Sequence, residues 1–96
     1  MYIAISAGKE LMDHWIEVSV SGEATQANPV MQNIANVVTA LDGNPIGDDA
    51  FSPAEISYDR RWDQVGAVVP NSTHTVTVTV TDDKGNQTSA SRTWQD

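Results

Sequence analysis

The chain has 96 residues, 40% of them hydrophobic, which suits one globular domain burying roughly two-thirds of its unfolded surface. Five basic residues stand against 13 acidic ones, and a formal net charge of −8 repels phosphate backbones and anionic lipid, which argues against nucleic-acid partners and membrane insertion. The absence of cysteine excludes disulfides, thiolate metal sites and a cysteine nucleophile.

Residues 2–6 predict a short first strand, broken by the small and polar residues 7–10. The opening residues lack the basic start and apolar run of a secretory signal. That fits either a protein retained until lysis or assembly, or a domain whose leader lies elsewhere. His14, Ile16, Val18 and Val20 share one parity, with Trp15, Glu17, Ser19 and Ser21 on the other, so a half-buried strand runs to Gly22. Residues 23–29 read as a polar turn. Residues 30–41 fit helical spacing as well as a strand. The Asp42-Gly43-Asn44-Pro45 turn favours a strand over 36–41, with 30–34 as a helical turn or irregular crossover.

Ile46 and Gly47 start a short return strand, and residues 48–53 read as a loop. Ile56 and Tyr58 suggest another strand. Residues 60–71 read as a connection anchored by Trp62. Next comes the strongest signal in the chain. Val76, Val78 and Val80 alternate with Thr75, Thr77, Thr79 and Thr81, giving a strand with one dry face and one wet or partnered face. Residues 82–87 turn the chain, and residues 88–94 return with Ala90, Arg92 and Trp94 on one parity. Roughly six to eight short strands with turns between them indicate an all-β antiparallel sandwich.

Three pieces in order then carry a resemblance: VVTALDGNPIG at 37–47, YDRRWD at 58–63 and HTVTVTVTDDKGN at 74–86, followed by a serine- and threonine-rich strand. Over residues 36–94 the chain resembles bacterial immunoglobulin-like domains, whose closing hairpin fibronectin type III-like and polycystic-kidney-disease-type domains approximate. The resemblance implies a single immunoglobulin-like domain over 1–96, an antiparallel β-sandwich of about seven strands with Greek-key connections. Two departures from that pattern are the long stretch 22–35, and Thr39 at a place that usually holds a large apolar residue. The resemblance also implies a non-catalytic module. The first expectation is a structural protein of a tailed-phage virion, as a head decoration or tail-associated domain. The alternative is an accessory module of a secreted adhesin or polysaccharide-degrading enzyme, with carbohydrate as a ligand. Either places the chain on a virion surface or at an extracellular or cell surface, with a protein partner or further copies of itself.

Candidate sites follow from residue chemistry. His14 and His74 are the only histidines, and both read as strand-end residues capping the sandwich rather than as a catalytic base. No cofactor is expected apart from calcium. Its hard-oxygen ligands would be Asp48, Asp49, Asp82 and Asp83, joined by Asp42, Asp59 and Asp63 if the loops converge. The competing role of those aspartates is turn formation. Trp62 is the expected core tryptophan, whereas Trp15 lies on the polar parity and is the better candidate for an exposed, sugar-stacking or interface ring. Thr75, Thr77 and Thr79 form one hydroxyl row. Val38 and Ala40 face outward if Val37, Thr39 and Leu41 face the core, which predicts a face covered by residues 22–35 or by another subunit.

Overall fold

The computed structural model describes residues 1–22 and 32–96. The predicted turn at 23–29 and residues 30–31 of the ambiguous stretch at 30–34 lie outside the described residues. Seven strands follow one another: β1 (Tyr2–Glu10), β2 (Asp13–Ser21), β3 (Ile34–Leu41), β4 (Asn44–Glu55), β5 (Ser57–Trp62), β6 (Thr73–Asp82) and β7 (Gln87–Gln95). They form two antiparallel sheets, one of three strands in the order β1-β2-β5 and one of four in the order β4-β3-β6-β7. The architecture is an all-β sandwich, and the chain changes sheet between β2 and β3, β4 and β5, and β5 and β6.

The core is the product of three alternating strands. Ile16, Val18 and Val20 of β2 meet Ile34 and Val37 of β3 and Val76, Val78 and Val80 of β6, and all eight are at most 1% exposed. A period of two sends every second side chain of a strand to the same face, so each sheet contributes an unbroken apolar row. Each such side chain contributes about 1.5–3 kcal/mol relative to exposure. Register locks the rows together: Val80 sits opposite Val37, Val78 opposite Thr39 and Val76 opposite Leu41.

Several strands exceed their predicted bounds. β1 continues through residues 7–10, because Gly8 pairs with Trp15, Lys9 with His14 and Glu10 with Asp13. Gly8 does not break the strand. It makes room for the Trp15 ring, whose atoms lie 2.7 Å from where a Cβ would stand. Residues 48–53 are strand rather than loop: Asp48, Asp49 and Ala50 pair with Val38, Val37 and Asn36, and the register shifts before Glu55 meets Ile34. Aspartate and proline are poor strand formers, but β4 is an edge strand, where they are tolerated. Arg60 to Trp62 belong to β5, with Trp62 opposite Ile16 at the strand end. β3 begins at Ile34, two residues before its predicted start, with an irregularity between Ile34 and Asn36.

Turn chemistry behaves as expected at both marked hairpins. Asp42 and Gly43 have φ of 51° and 84°, the left-handed pair that a two-residue hairpin requires, and Gly85 takes φ of 87° in the β6–β7 turn.

Thr39 is fully buried between the sheets, and its hydroxyl has no hydrogen-bond partner among the described residues. An unpaired buried hydroxyl costs about 1–3 kcal/mol, and an apolar isostere removes that cost. Thr39→Val is therefore expected to raise unfolding stability by about 1 kcal/mol, seen as a higher urea midpoint at unchanged m-value. A lower midpoint would show that the hydroxyl is satisfied.

Candidate functional site

Parity assembles a polar cluster at one end of the sandwich. His14 opens β2 on the same face as Ile16, and His74 lies near the start of β6 on the same face as Val76. Trp94 of β7 is paired with His74, and Asp96, two residues on, returns to the same side. One histidine comes from the three-stranded sheet, and the other groups come from the four-stranded sheet or the chain just beyond it.

The Asp96 carboxylate lies between the two imidazoles. Its Oδ1 is 2.6 Å from His14 Nε2 and its Oδ2 is 3.2 Å from His74 Nε2, while the Val69 N–H donates to Oδ2 at 3.1 Å. The outer nitrogens are also engaged. His14 Nδ1 donates to the Gly66 carbonyl at 3.0 Å, and His74 Nδ1 lies 2.8 Å from Asp42 Oδ2. Asp42 is held in turn by the Thr75 N–H, which donates to its Oδ1 at 2.8 Å. The His14 main chain is fixed by exchange with the 65–66 segment: its N–H donates to Gly66 O, and Val65 N–H donates to His14 O. The imidazoles meet edge to face with centroids 4.8 Å apart, and the Trp94 ring contacts both.

Burial is steep here. The His14 and Asp96 side chains are 2% and 0% exposed, and His74 is 19% exposed. Burial alone would raise the Asp96 carboxyl, but hydrogen bonds from His14, the Val69 N–H and His74 outweigh it and hold the group at about 2. The hydrogen bond with Asp42 raises His74 above the usual imidazole value, with burial opposing and Asp96 adding to the rise. Asp42 is lowered by the hydrogen bonds from His74 and Thr75. His14, His74 and Asp96 are a group of three metal-capable side chains whose ligand atoms lie within 4.8 Å of one another.

The aspartates proposed for calcium do not converge. Asp49 lies opposite Val37 on one side of β3 and Asp82 opposite Ile34 on the other, so at least one strand spacing separates each from the middle strand. Asp82 accepts hydrogen bonds from the N–H groups of Lys84 and Asn86 and from the Asn86 side chain, which is turn chemistry. Asp83 accepts from Asn33, and Asp48 from Asn36. Asp59 sits opposite Ser19 on β5, and Asp63 pairs with Arg61. Asp49 faces inward at the β4–β5 edge, where its Oδ2 accepts from the Tyr58 hydroxyl at 2.6 Å and from Arg60 at 2.8 Å.

The interface candidates fall on two different sheets. Trp15 is on the outer face of the three-stranded sheet, against Gly8 and under the Arg61 guanidinium, 4.4 Å from the ring centroid. Val38 and Ala40 are on the outer face of the four-stranded sheet, opposite Thr79 and Thr77. The threonine row has a second row beside it. Thr75 bonds Thr93 at 2.9 Å, Thr79 bonds Ser89 at 3.2 Å, and Thr77 faces Ser91 at 3.5 Å. Trp62 is half-buried against the core, with its ring over Gly47 and its Nε1 donating to Ile46 O at 3.2 Å.

Sequence reasoning placed both histidines at strand ends but missed Asp96, which follows the last strand outside any pattern. The readable signal was the shared spacing: histidine two before an inward residue on β2 and on β6, and aspartate two after inward Trp94. The chain matches no protein-family model and no curated protein sequence.

The Asp49 clasp has a defined pH signature. Hydrogen bonds from Tyr58 and then Arg60 lower the Asp49 carboxyl below its ordinary value. A lowered folded value adds stability above the unfolded value of about 3.9, and that stability disappears as pH falls through the folded value. Asp49→Asn is expected to lower stability by about 1 kcal/mol at neutral pH, with the gap to the parent closing below about pH 4 in urea titrations. A gap independent of pH would remove the charge from the explanation.

Proposed function

We propose that the chain is a non-catalytic, immunoglobulin-like structural module of a larger surface assembly, and that it meets a structural protein of that assembly through the outer face of its four-stranded sheet. The carrying observation is the chemistry of that face. The outward residues of β3, β6 and β7 include Val38, Ala40, Thr75, Thr77, Thr79, Ser89, Ser91 and Thr93, and none of the outward residues on these strands is ionisable. In a chain of net charge −8, this neutral stretch of β3, β6 and β7 can be covered at little cost of stripping water from charges, with Asp48 of the edge strand β4, opposite Val38, as the ionisable group at its border. Its valine and alanine supply apolar contact and its hydroxyls supply hydrogen bonds.

Two further observations support the reading. Both ring nitrogens of each histidine are engaged by a carboxylate or carbonyl, which leaves none to activate a nucleophile. The fourth strand joins the sheet of the third, sixth and seventh. Constant-type immunoglobulin domains place it in the other sheet, so the fibronectin type III side of the resemblance is favoured. A tailed-phage virion, with the chain as a head decoration or tail-associated protein, is the setting we place first. Capsid and tail genes beside the coding sequence would support that setting.

Val38→Glu puts a charge at the centre of the proposed contact and is expected to weaken attachment to purified particles about tenfold or more, while thermal unfolding stays unchanged. Co-sedimentation in a density gradient reads the effect. Attachment unaffected by Val38→Glu and by Thr77→Arg would move the contact elsewhere.

A further inference from the structure

We propose that His14, His74 and Asp96 form a binding site for one divalent transition metal ion of the zinc class. Two imidazoles and a carboxylate are a borderline donor set that suits zinc and its neighbours, whereas calcium and magnesium favour all-oxygen shells. The three side chains come from separate parts of the chain, and their ligand atoms lie within 4.8 Å of one another.

The orientation of the rings is the stronger argument. Each histidine turns Nε2 toward the shared carboxylate and anchors Nδ1 on an acceptor outside the group: the Gly66 carbonyl for His14 and Asp42 for His74. Metal-ligating histidines carry such an outer acceptor, which fixes the ring and leaves the inner nitrogen as the ligand. The Gly66 carbonyl can only accept, so the hydrogen on His14 Nδ1 is assigned by chemistry. Tetrahedral bonds of about 2.0–2.1 Å place ligand atoms a little over 3 Å apart. The separation of 3.2 Å from His74 Nε2 to Asp96 Oδ2 already meets that, the 2.6 Å from His14 Nε2 to Oδ1 must open by less than about 1 Å, and a single ion reached by both rings requires the carboxylate to turn one oxygen toward both. The ion would take the place of the protons now held between Asp96 and the two Nε2 atoms.

The surroundings fit. The buried Trp94 Nε1 has no acceptor among the described residues, and its ring touches both histidines. It is an unused buried donor on a ring that packs against both histidines. Bound metal would tie β2 of one sheet to β6 and the end of β7 in the other, and so would stabilise the sandwich by mass action.

The test uses tag-free, chelator-stripped full chain titrated with zinc chloride by calorimetry, with calcium chloride as the comparison. The expected result is one equivalent of zinc in the micromolar range or tighter, a higher melting temperature, and no comparable response to calcium. His74→Gln, at the more exposed of the two histidines, and Asp96→Asn should each lose zinc uptake, whereas Asp82→Asn should keep it. The unaltered protein gives an independent readout, because it has only two histidines. Imidazole resonances of both should shift together on zinc addition, and cobalt(II) should develop the visible absorption of a low-coordinate nitrogen–oxygen site. No uptake by the parent chain, uptake that survives both substitutions, or zinc-induced shifts in only one imidazole would overturn the proposal.

Discussion

The sealing of Val76, Val78 and Val80 against Ile16, Val18 and Val20 is the constraint on which the rest of the molecule depends. These two rows come from different sheets, and each is produced by strict alternation along one central strand. A slip of one residue in either strand would turn its whole apolar row to water and bring threonines or Glu17 inward. Register is thus set by burial, and once set it fixes the direction of every other side chain on those strands. His14 and His74 face each other at one end because they continue the two inward rows. The threonine ladder is flat and outward for the same reason.

A sandwich of seven short strands leaves open seams, and polar side chains close them. At the β4–β5 seam, Asp49 of one sheet receives Tyr58 and Arg60 of the other. At the β1–β7 seam, Arg92 donates to the Ile5 carbonyl at 2.9 Å. At one end, Asp96 joins the two histidines. All three clasps cross between the sheets, at positions where the alternating pattern would place an apolar residue but the site lies near water. Tyr58 shows the cost: burial, with Asp49 next, raises its phenol far above the ordinary value and keeps it a donor. Strong pairing of this kind orients the sheets more than it adds net stability, since desolvation offsets much of the attraction.

The functional reading separates along the same inside–outside division. Inside, the histidine–carboxylate cluster is buried at His14 and Asp96, mostly buried at His74, and engaged at every ring nitrogen. Outside, the four-stranded sheet presents hydroxyls with two small apolar residues, a surface suited to being covered. The proposed contact face and the proposed metal site are on opposite sides of β6, so neither requires the other.

What the sequence determined by itself was the periodic part. Alternation at 14–20 and 74–81 named the buried rows, Asp42-Gly43 and Gly85 named their turns, and the parity of Val37 and Thr39 fixed which residues of β3 face out. These are local facts, since propensity and period act over a few residues. Tertiary structure decided what local pattern could not carry. Residues 7–10 and 48–53 look like breakers, yet they are strand because a partner strand and a neighbouring ring complete them. Ser89, Ser91 and Thr93 join the threonine row only through the β6–β7 register. Asp96 meets two histidines 82 and 22 residues away. Such meetings depend on how two sheets stack, and stacking is a property of the whole buried surface rather than of any segment within it.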